Sequence, residues 1–356
     1  MTSRVFGLLP SGEAVQAHTL SNEAGASAEV LSYGGILRSL RMPDGAGRVA
    51  DVVLGLGTLE GYLAGHPYMG AIVGRIAGRV SGGRLLVGGR VVSLDCNDGS
   101  NHLHGGRRGF DKRLWTATPV PGKAGASSVR LSYVSPDGEE GYPGNVEVSV
   151  TYTLTAENAL VFETEARSDR ATPLSLTHHS YFNLEGEGTG PVLGHEVQIL
   201  AGEYVPADSA LTLQDRRERV SGRSADFNRP RPLRDAIPGL PLAHGDLYLL
   251  RAQDAPQPKG PLLAARVVEP RTGRILEVST DEPCLQFYSG VGLDGSLVGK
   301  SGRPYGRHAG LCLECQGYPN AASVSGFGDI MVSPERPLRR CTVYAFSTVS
   351  PARRSR

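Results

Sequence analysis

The sequence predicts an all-β protein, a large antiparallel β-sandwich. Its clearest hydrophobic periodicity is two residues, the repeat of a strand with one buried face, rather than the 3.6 of a helix. Turn formers are dense, with 47 glycines and 24 prolines in 356 residues, above the roughly 12% of an average chain. No stretch combines the length and period of a long amphipathic helix. Short strands at close spacing, punctuated by Gly and Pro, suit a sandwich.

In chain order, the strands at 85–87 and 91–94 flank Gly88-Gly89, a two-residue hairpin turn. Val129, Leu131 and Tyr133 lead into Ser135-Pro136-Asp137-Gly138, a turn-forming run. Val146, Val148, Val150, Tyr152 and Leu154 alternate with Glu147, Ser149, Thr151 and Thr153. After Ala156-Glu157-Asn158, the residues Leu160, Phe162, Thr164 and Ala166 alternate with Val161, Glu163, Glu165 and Arg167. These two runs read as one long hairpin with a single buried face. Residues 215–220 suit one helical turn. Leu276, Val278 and Thr280 precede Asp281-Glu282-Pro283, after which 285–288 resume a strand. Two further strands are expected at 311–315 and 342–346. The proline-rich run 254–261 reads as a surface loop. With no linker-like break and no repeat, residues 1–356 are expected to form a single domain, with the basic tail 351–356 frayed.

Composition narrows the function classes. The 37 Lys+Arg against 36 Asp+Glu leave a net charge of +1, which gives no footing for nucleic acid. No run reaches the ~18 apolar residues of a membrane span, and the N-terminus lacks a signal-peptide core. A cytoplasmic protein is expected, with no membrane partner and no strand edge that stands out as a subunit contact. The five scattered cysteines fit reduced thiols better than a disulfide framework. Cys312 and Cys315 have CxxC spacing, but on a strand they point to opposite faces. Buried small side chains are the better reading than zinc or redox chemistry.

Three polar features stand out: Asn101-His102-Leu103-His104-Gly105-Gly106, Thr177-His178-His179-Ser180-Tyr181-Phe182-Asn183, and Glu314 inside the apolar run Leu311-Cys312-Leu313-Glu314-Cys315. A carboxylate within such a run is costly to bury without a partner. Its pKa rises on burial, which suits a general base near neutral pH. His102 and His104 would share one face of a strand, where zinc could use the pair, or they could be hydrogen-bonded structural residues. Gly-x-Ser-x-Gly is absent, against a hydrolase elbow. The glycines of residues 74–79 lack phosphate-loop spacing.

Together these segments resemble the aldose 1-epimerases, also called galactose mutarotases. The resemblance rests on six ordered matches over roughly residues 30–345. They begin with Val73-Gly74-Arg75-Ile76-Ala77-Gly78-Arg79 and residues 101–106 with Gly109-Phe110-Asp111-Lys112 and Trp115. Residues 135–144 and 177–184 follow, then Gln286-Phe287-Tyr288-Ser289-Gly290, then Leu313-Glu314-Cys315-Gln316 with Tyr318-Pro319-Asn320-Ala321. The resemblance implies a twisted antiparallel β-supersandwich with a sugar cleft. It implies interconversion of the α and β anomers of free aldohexoses such as D-galactose and D-glucose, with no metal and no organic cofactor. By motif, Glu314 resembles the general base and His179 the general acid. Arg79, His104, Tyr181 and Gln286 resemble residues that hold or polarise the sugar. The chain departs from the family in three places. His178 stands where Asn often precedes the acid His, Gly78 stands where some members have Asn, and a late Asp-His pair is replaced by His244-Gly245-Asp246-Leu247-Tyr248. Asp246 is the candidate sugar-binding Asp. A nearby carboxylate is expected to raise the His179 pKa. The competing readings are action on another aldose or a hexose 6-phosphate, or a non-catalytic carbohydrate-binding protein.

Overall fold

A computed structural model describes residues 1–121, 125–251 and 258–349. The first half of the proline-rich run, residues 254–257, falls outside them, as does the tail 351–356. Nine antiparallel strands form the main sheet, in the order Thr116–Val120, Ser127–Ser135, Val146–Leu154, Ala159–Ser168, Leu338–Thr348, Arg274–Thr280, Leu262–Val268, Glu196–Ile199 and Arg231–Pro232. A five-stranded sheet holds the N-terminal strands Thr2–Leu8 to Val49–Asp51. A second five-stranded sheet orders Glu218–Arg219, Glu203–Val205, Leu247–Leu249, Cys284–Tyr288 and Cys312–Gln316. Side chains from all three sheets meet in one core, with Val30 and Leu40 from the first, Val150 and Leu160 from the nine-stranded sheet, and Leu285 and Leu313 from the last. The three sheets packed on this shared core form a β-sandwich. Among the described residues no helix is long and apolar enough to cross a membrane.

Period-two patterning decides which faces meet. In the hairpin 146–168, Val146 pairs with Ser168 and Leu154 with Leu160. The residues Val146, Val148, Val150, Tyr152 and Leu154 are all buried. Each such apolar side chain contributes roughly 1.5–3 kcal/mol on burial. Gly88 and Gly89 have φ of 56° and 77°, the left-handed pair that a tight hairpin between Arg84–Val87 and Arg90–Ser93 requires.

The turn at Asp281-Glu282-Pro283 does more than reverse the chain. Arg274–Thr280 lies in the nine-stranded sheet and Cys284–Tyr288 in the second five-stranded sheet, so the chain changes layers there. The connection after Ser135 is a ten-residue loop rather than a tight turn. The buried Arg75 guanidinium holds it, donating to the carbonyls of Ser135, Pro136, Pro143 and Gly144. That clamp fixes the segment that carries Arg79.

One local expectation fails. Residues 215–220 are not helical: Glu218–Arg219 is a strand paired with Glu203 and Tyr204, and Asp215 has φ 51°. The Asp215 carboxylate accepts from the Tyr318 hydroxyl and from Asn320 Nδ2. Tertiary hydrogen bonds thus override a six-residue helical preference that is too short to nucleate alone.

Candidate active site

Arg79, His104, His179, Tyr181, Asp246, Gln286 and Glu314 all line one cleft of about 170 Å³. A larger hollow of about 620 Å³ lies over the nine-stranded sheet, around Arg130, Glu165 and Arg339. There Glu165 is ion-paired at the surface with both arginines. Of the two, the smaller cleft gathers the buried titratable groups, which makes it the candidate site.

Alternation along Cys312–Gln316 supplies the floor. Cys312, Glu314 and Gln316 face one way, while Leu313 and Cys315 join the core on the other. The two cysteines of the CxxC therefore do point apart, and all five cysteines are free. Gln286 pairs directly with Glu314 across the neighbouring strand. Its Nε2 donates to the Phe287 carbonyl at 2.7 Å, which leaves its Oε1 for the cleft.

Strand alternation also separates the adjacent histidines. His178 packs in the core against Phe162, Tyr152 and Tyr344. His179 lies in the cleft, its Nε2 3.6 Å from Glu314 Oε2, with Cys312 Sγ 3.6 Å from its Nδ1. Glu314 Oε2 has no hydrogen-bond partner. Burial pushes the Glu314 carboxyl up to about 8, against the pull of Arg79. The same burial pushes His179 down to about 4, helped by His244. The sequence-based expectation that the carboxylate would raise His179 is overturned: desolvation lowers the imidazole, and Glu314, itself protonated up to about 8, offers it no charge. The pair therefore holds one proton and no net charge over the range between those values.

His104 does not share a face with His102. The strand ends at Leu103 and His104 has φ 51°, which swings it into the cleft. His102 is a structural residue, bonded to the Asp95 carbonyl at 2.7 Å and the Tyr142 hydroxyl at 2.8 Å. His104 Nδ1 accepts the Gly78 N–H at 3.1 Å, so its hydrogen sits on Nε2 as a donor. Gly78 has φ +84°, and a Cβ there would lie 2.6 Å from Pro319. That close approach accounts for glycine at this position.

His104, His179 and Glu314 bring ligand-type atoms within 4.8 Å of one another. The set does not fit zinc. A ligating imidazole hands its other N–H to an acceptor, whereas His104 receives one on Nδ1 and keeps its hydrogen on Nε2. Neither nitrogen of that ring has a free lone pair to give.

Arg79 pairs with Asp98 at 2.6 Å, which fixes its charge at the cleft wall. Tyr181 donates its hydroxyl to the Pro67 carbonyl at 2.9 Å, and its ring stacks on His179 at 5.1 Å. It props the imidazole with its face. Both Asp246 oxygens are buried without partners, and burial with Glu218 nearby pushes its carboxyl up to about 7.

Sequence reasoning missed Tyr68, His244, Tyr288 and Gln316, which also line the cleft. Tyr68 lies 4.5 Å from the His104 ring, with Lys112 Nζ 5.2 Å from its own centroid. It sits in the His66-Pro67-Tyr68 turn, where it has φ 55°, a conformation the sequence does not announce. An aromatic residue in the left-handed region is strained and marks a functional position.

The family model described as aldose 1-epimerase matches residues 16–345. The chain is 41% identical over 348 residues to the galactose mutarotase of Rattus norvegicus, covering 98% of each chain. It is 34% identical over 326 residues to the aldose 1-epimerase of Escherichia coli K12, covering 90% of this chain and 91% of the other. Among solved structures, the galactose 1-epimerase of Lactobacillus acidophilus aligns with a TM-score of 0.82 at 27% identity, covering 98% of each chain. An aldose epimerase homologue from C. elegans aligns with a TM-score of 0.84 at 27% identity, covering 94% of this chain and 99% of its own.

Proposed function

This chain belongs to the aldose 1-epimerase family and is a mutarotase, and from that premise we propose that Glu314 and His179 carry the reaction on free aldohexoses such as D-galactose and D-glucose. The observation that carries this reading is the buried pair itself, a carboxyl and an imidazole 3.6 Å apart. Mutarotation needs one proton shared between two such groups. Glu314 as carboxylate takes the hydrogen from O1 while His179 as imidazolium gives one to the ring oxygen, and the C1–O5 bond breaks. The aldehyde then turns about C1–C2. Reclosure on the other face runs the transfers backwards, with His179 taking the hydrogen from O5 and Glu314 returning one to O1.

The two proton distributions serve the two half-reactions. Glu314 carboxylate with imidazolium opens the ring, and carboxylic acid with neutral imidazole closes it. Burial favours the second in the empty cleft. An O1–H hydrogen bond to Glu314 stabilises the carboxylate and moves the proton to His179 when the sugar binds. Each partner contributes ~10²–10⁴-fold. Arg79 and the Nε2–H of His104 supply donors, Asp246 and Gln286 supply acceptors, and together they hold the ring in one orientation. The whole chain acts as one domain in this reading. Five unpaired cysteines suit a reducing compartment such as the cytoplasm.

The test is polarimetry of freshly dissolved α-D-galactose and α-D-glucose with EDTA present. Faster decay to the same equilibrium rotation is the expected result. Glu314→Gln and His179→Asn should each remove most of the acceleration while circular dichroism stays native. If both variants keep near wild-type turnover, the assignment of this pair fails.

A further inference from the structure

Besides the donors Arg79 and His104, the cleft is lined by the acceptors Asp246 and His244. Both oxygens of Asp246 are buried without partners. His244, two residues earlier, lines the same cleft and packs its ring on Tyr288 with centroids 4.6 Å apart. Its Nδ1 lies 3.2 Å from the Gly245 carbonyl oxygen. A carbonyl only accepts, so Nδ1 carries the hydrogen and Nε2 is the bare nitrogen. Burial, together with the charge of Arg79, keeps the ring neutral by pushing it down to about 4. Gly245 makes this arrangement possible. It has φ +117°, and a Cβ there would collide with the Phe287 carbonyl oxygen.

We propose that His244 is a specificity-determining residue whose Nε2 accepts a hydrogen bond from one free hydroxyl of the sugar, beside the hydroxyl bound by Asp246. The reading rests on the mutarotase assignment above and goes beyond it to the substrate class. An acceptor wall selects groups that donate. Free hydroxyls do; methyl ethers and deoxy positions do not, and a phosphate ester is an anion set against a carboxylate. The class that fits is therefore a free sugar with hydroxyls intact on this side of the ring.

The experiment compares galactose with its 2-, 3-, 4- and 6-deoxy analogues on the wild type, His244→Phe and His244→Gln, by polarimetry and by calorimetric binding. Phenylalanine keeps a ring on Tyr288 and removes the acceptor; glutamine restores a carbonyl acceptor. With wild type, one analogue besides that read by Asp246 should lose about tenfold in kcat/KM, the size of one neutral hydrogen bond. His244→Phe should lose about tenfold on galactose, through KM rather than kcat, and no longer distinguish galactose from that analogue. The other analogues should keep their wild-type penalties. If His244→Phe and His244→Gln discriminate all four analogues as the wild type does, His244 reads no hydroxyl. Should His244→Phe not fold, the same comparison on His244→Gln and wild type decides, since a wild type that binds every deoxy analogue as well as galactose overturns the proposal. A wild type that binds these sugars with the expected pattern but accelerates none overturns the mutarotase reading instead.

Discussion

The nine-stranded sheet and the cleft are built on opposite terms. In the sheet, strands such as Val146–Leu154, Ala159–Ser168 and Leu338–Thr348 run 9, 10 and 11 residues, with inward side chains buried and backbone partners in register. In the cleft, Arg79, His104 and His179 stand in or just beyond strands of two residues, Arg79–Val80, His102–Leu103 and Thr177–His178. Tyr68 and His104 have positive φ. Buried oxygens of Asp246, Glu314 and Gln316 have no partner, and each such atom costs ~1–3 kcal/mol. The regular sheet stabilises the molecule; the cleft keeps polar groups unbonded so that a substrate can bond them. Substitutions in the two regions should therefore separate activity from stability.

The largest separation is expected at Glu314→Gln. Activity should fall ~10²–10⁴-fold, measured by polarimetry. Stability should move the other way. The folded-state pKa of Glu314 is raised from 4.5 to about 8. Its contribution is therefore fully present below about 4.5 and is lost as pH rises toward 8, because the folded protein holds a proton that the unfolded chain has released. The variant carries no such loss. Its melting temperature should match wild type near pH 4.5 and exceed it increasingly up to pH 8. A variant that melts lower than wild type at pH 8 would show that the carboxylate is stabilised in place and that the cleft is not the destabilised region.

Leu160→Ala in the sheet should do the converse. Leu160 is fully buried in the common core, and its truncation should lower unfolding free energy by ~2–5 kcal/mol while kcat/KM at room temperature stays at the wild-type value. Urea unfolding followed by circular dichroism, together with polarimetry below the transition, reads both. A large loss of activity in the folded variant would tie the cleft geometry to this distant layer.

The same division explains what could be read from sequence. The hairpin 146–168 was legible because period-two alternation is repeated along both of its strands. The change of layers at Asp281-Glu282-Pro283 was not, since a turn sequence does not say which sheet the next strand joins. The His178/His179 choice is settled by alternation, for one packs on Phe162 and the other faces Glu314. His102 and His104 misled the same argument, because the strand stops between them and period two stops with it. Tyr68 left almost no signal, and His244 only its place in the stretch that departs from the family: their positions depend on loop conformations set by contacts far away in sequence. The direction of the His179 shift was missed because burial depth is a property of the fold, and depth here also keeps the neighbouring carboxyl uncharged.

The pH profile sharpens the comparison further, since titration in the working range should come from the cleft. The Glu314–His179 pair needs one proton. With Glu314 at about 8 and His179 at about 4 in the empty cleft, kcat/KM should fall below about pH 4, where the pair gains a second proton, and above about pH 8, where it loses its only one. Each limb should change tenfold per pH unit. These are values of the pair rather than of either residue. Asp246, at about 7, should appear in KM, which falls as pH rises through 7 and the carboxylate becomes a stronger acceptor for sugar hydroxyls. Asp246→Asn should remove that KM step and leave the outer kcat/KM limbs in place. An Asp246→Asn kcat/KM profile that stays flat from about pH 4 to about pH 9 would dissociate the reaction from this pair.

The smallest expected effect is at Tyr181→Phe, and it bears on how the cleft uses its aromatic wall. A phenol beside an imidazole invites a role in proton transfer. Here the hydroxyl is committed, since it donates to the Pro67 carbonyl at 2.9 Å, and the ring face does the contacting, stacked on His179 at 5.1 Å. Phenylalanine keeps that face. It gives up one hydrogen bond, ~0.5–1.5 kcal/mol of stability, and it frees the loop that presents Tyr68. Turnover should therefore stay within a few-fold of wild type, with a small drop in melting temperature and both kcat/KM limbs unmoved. Tyr181→Ala removes the ring as well, and should cost more activity than Phe because the imidazole loses its support. If Tyr181→Phe instead lowers kcat as far as Glu314→Gln, the hydroxyl takes part in the proton transfers, and its bond to Pro67 must break when the sugar binds.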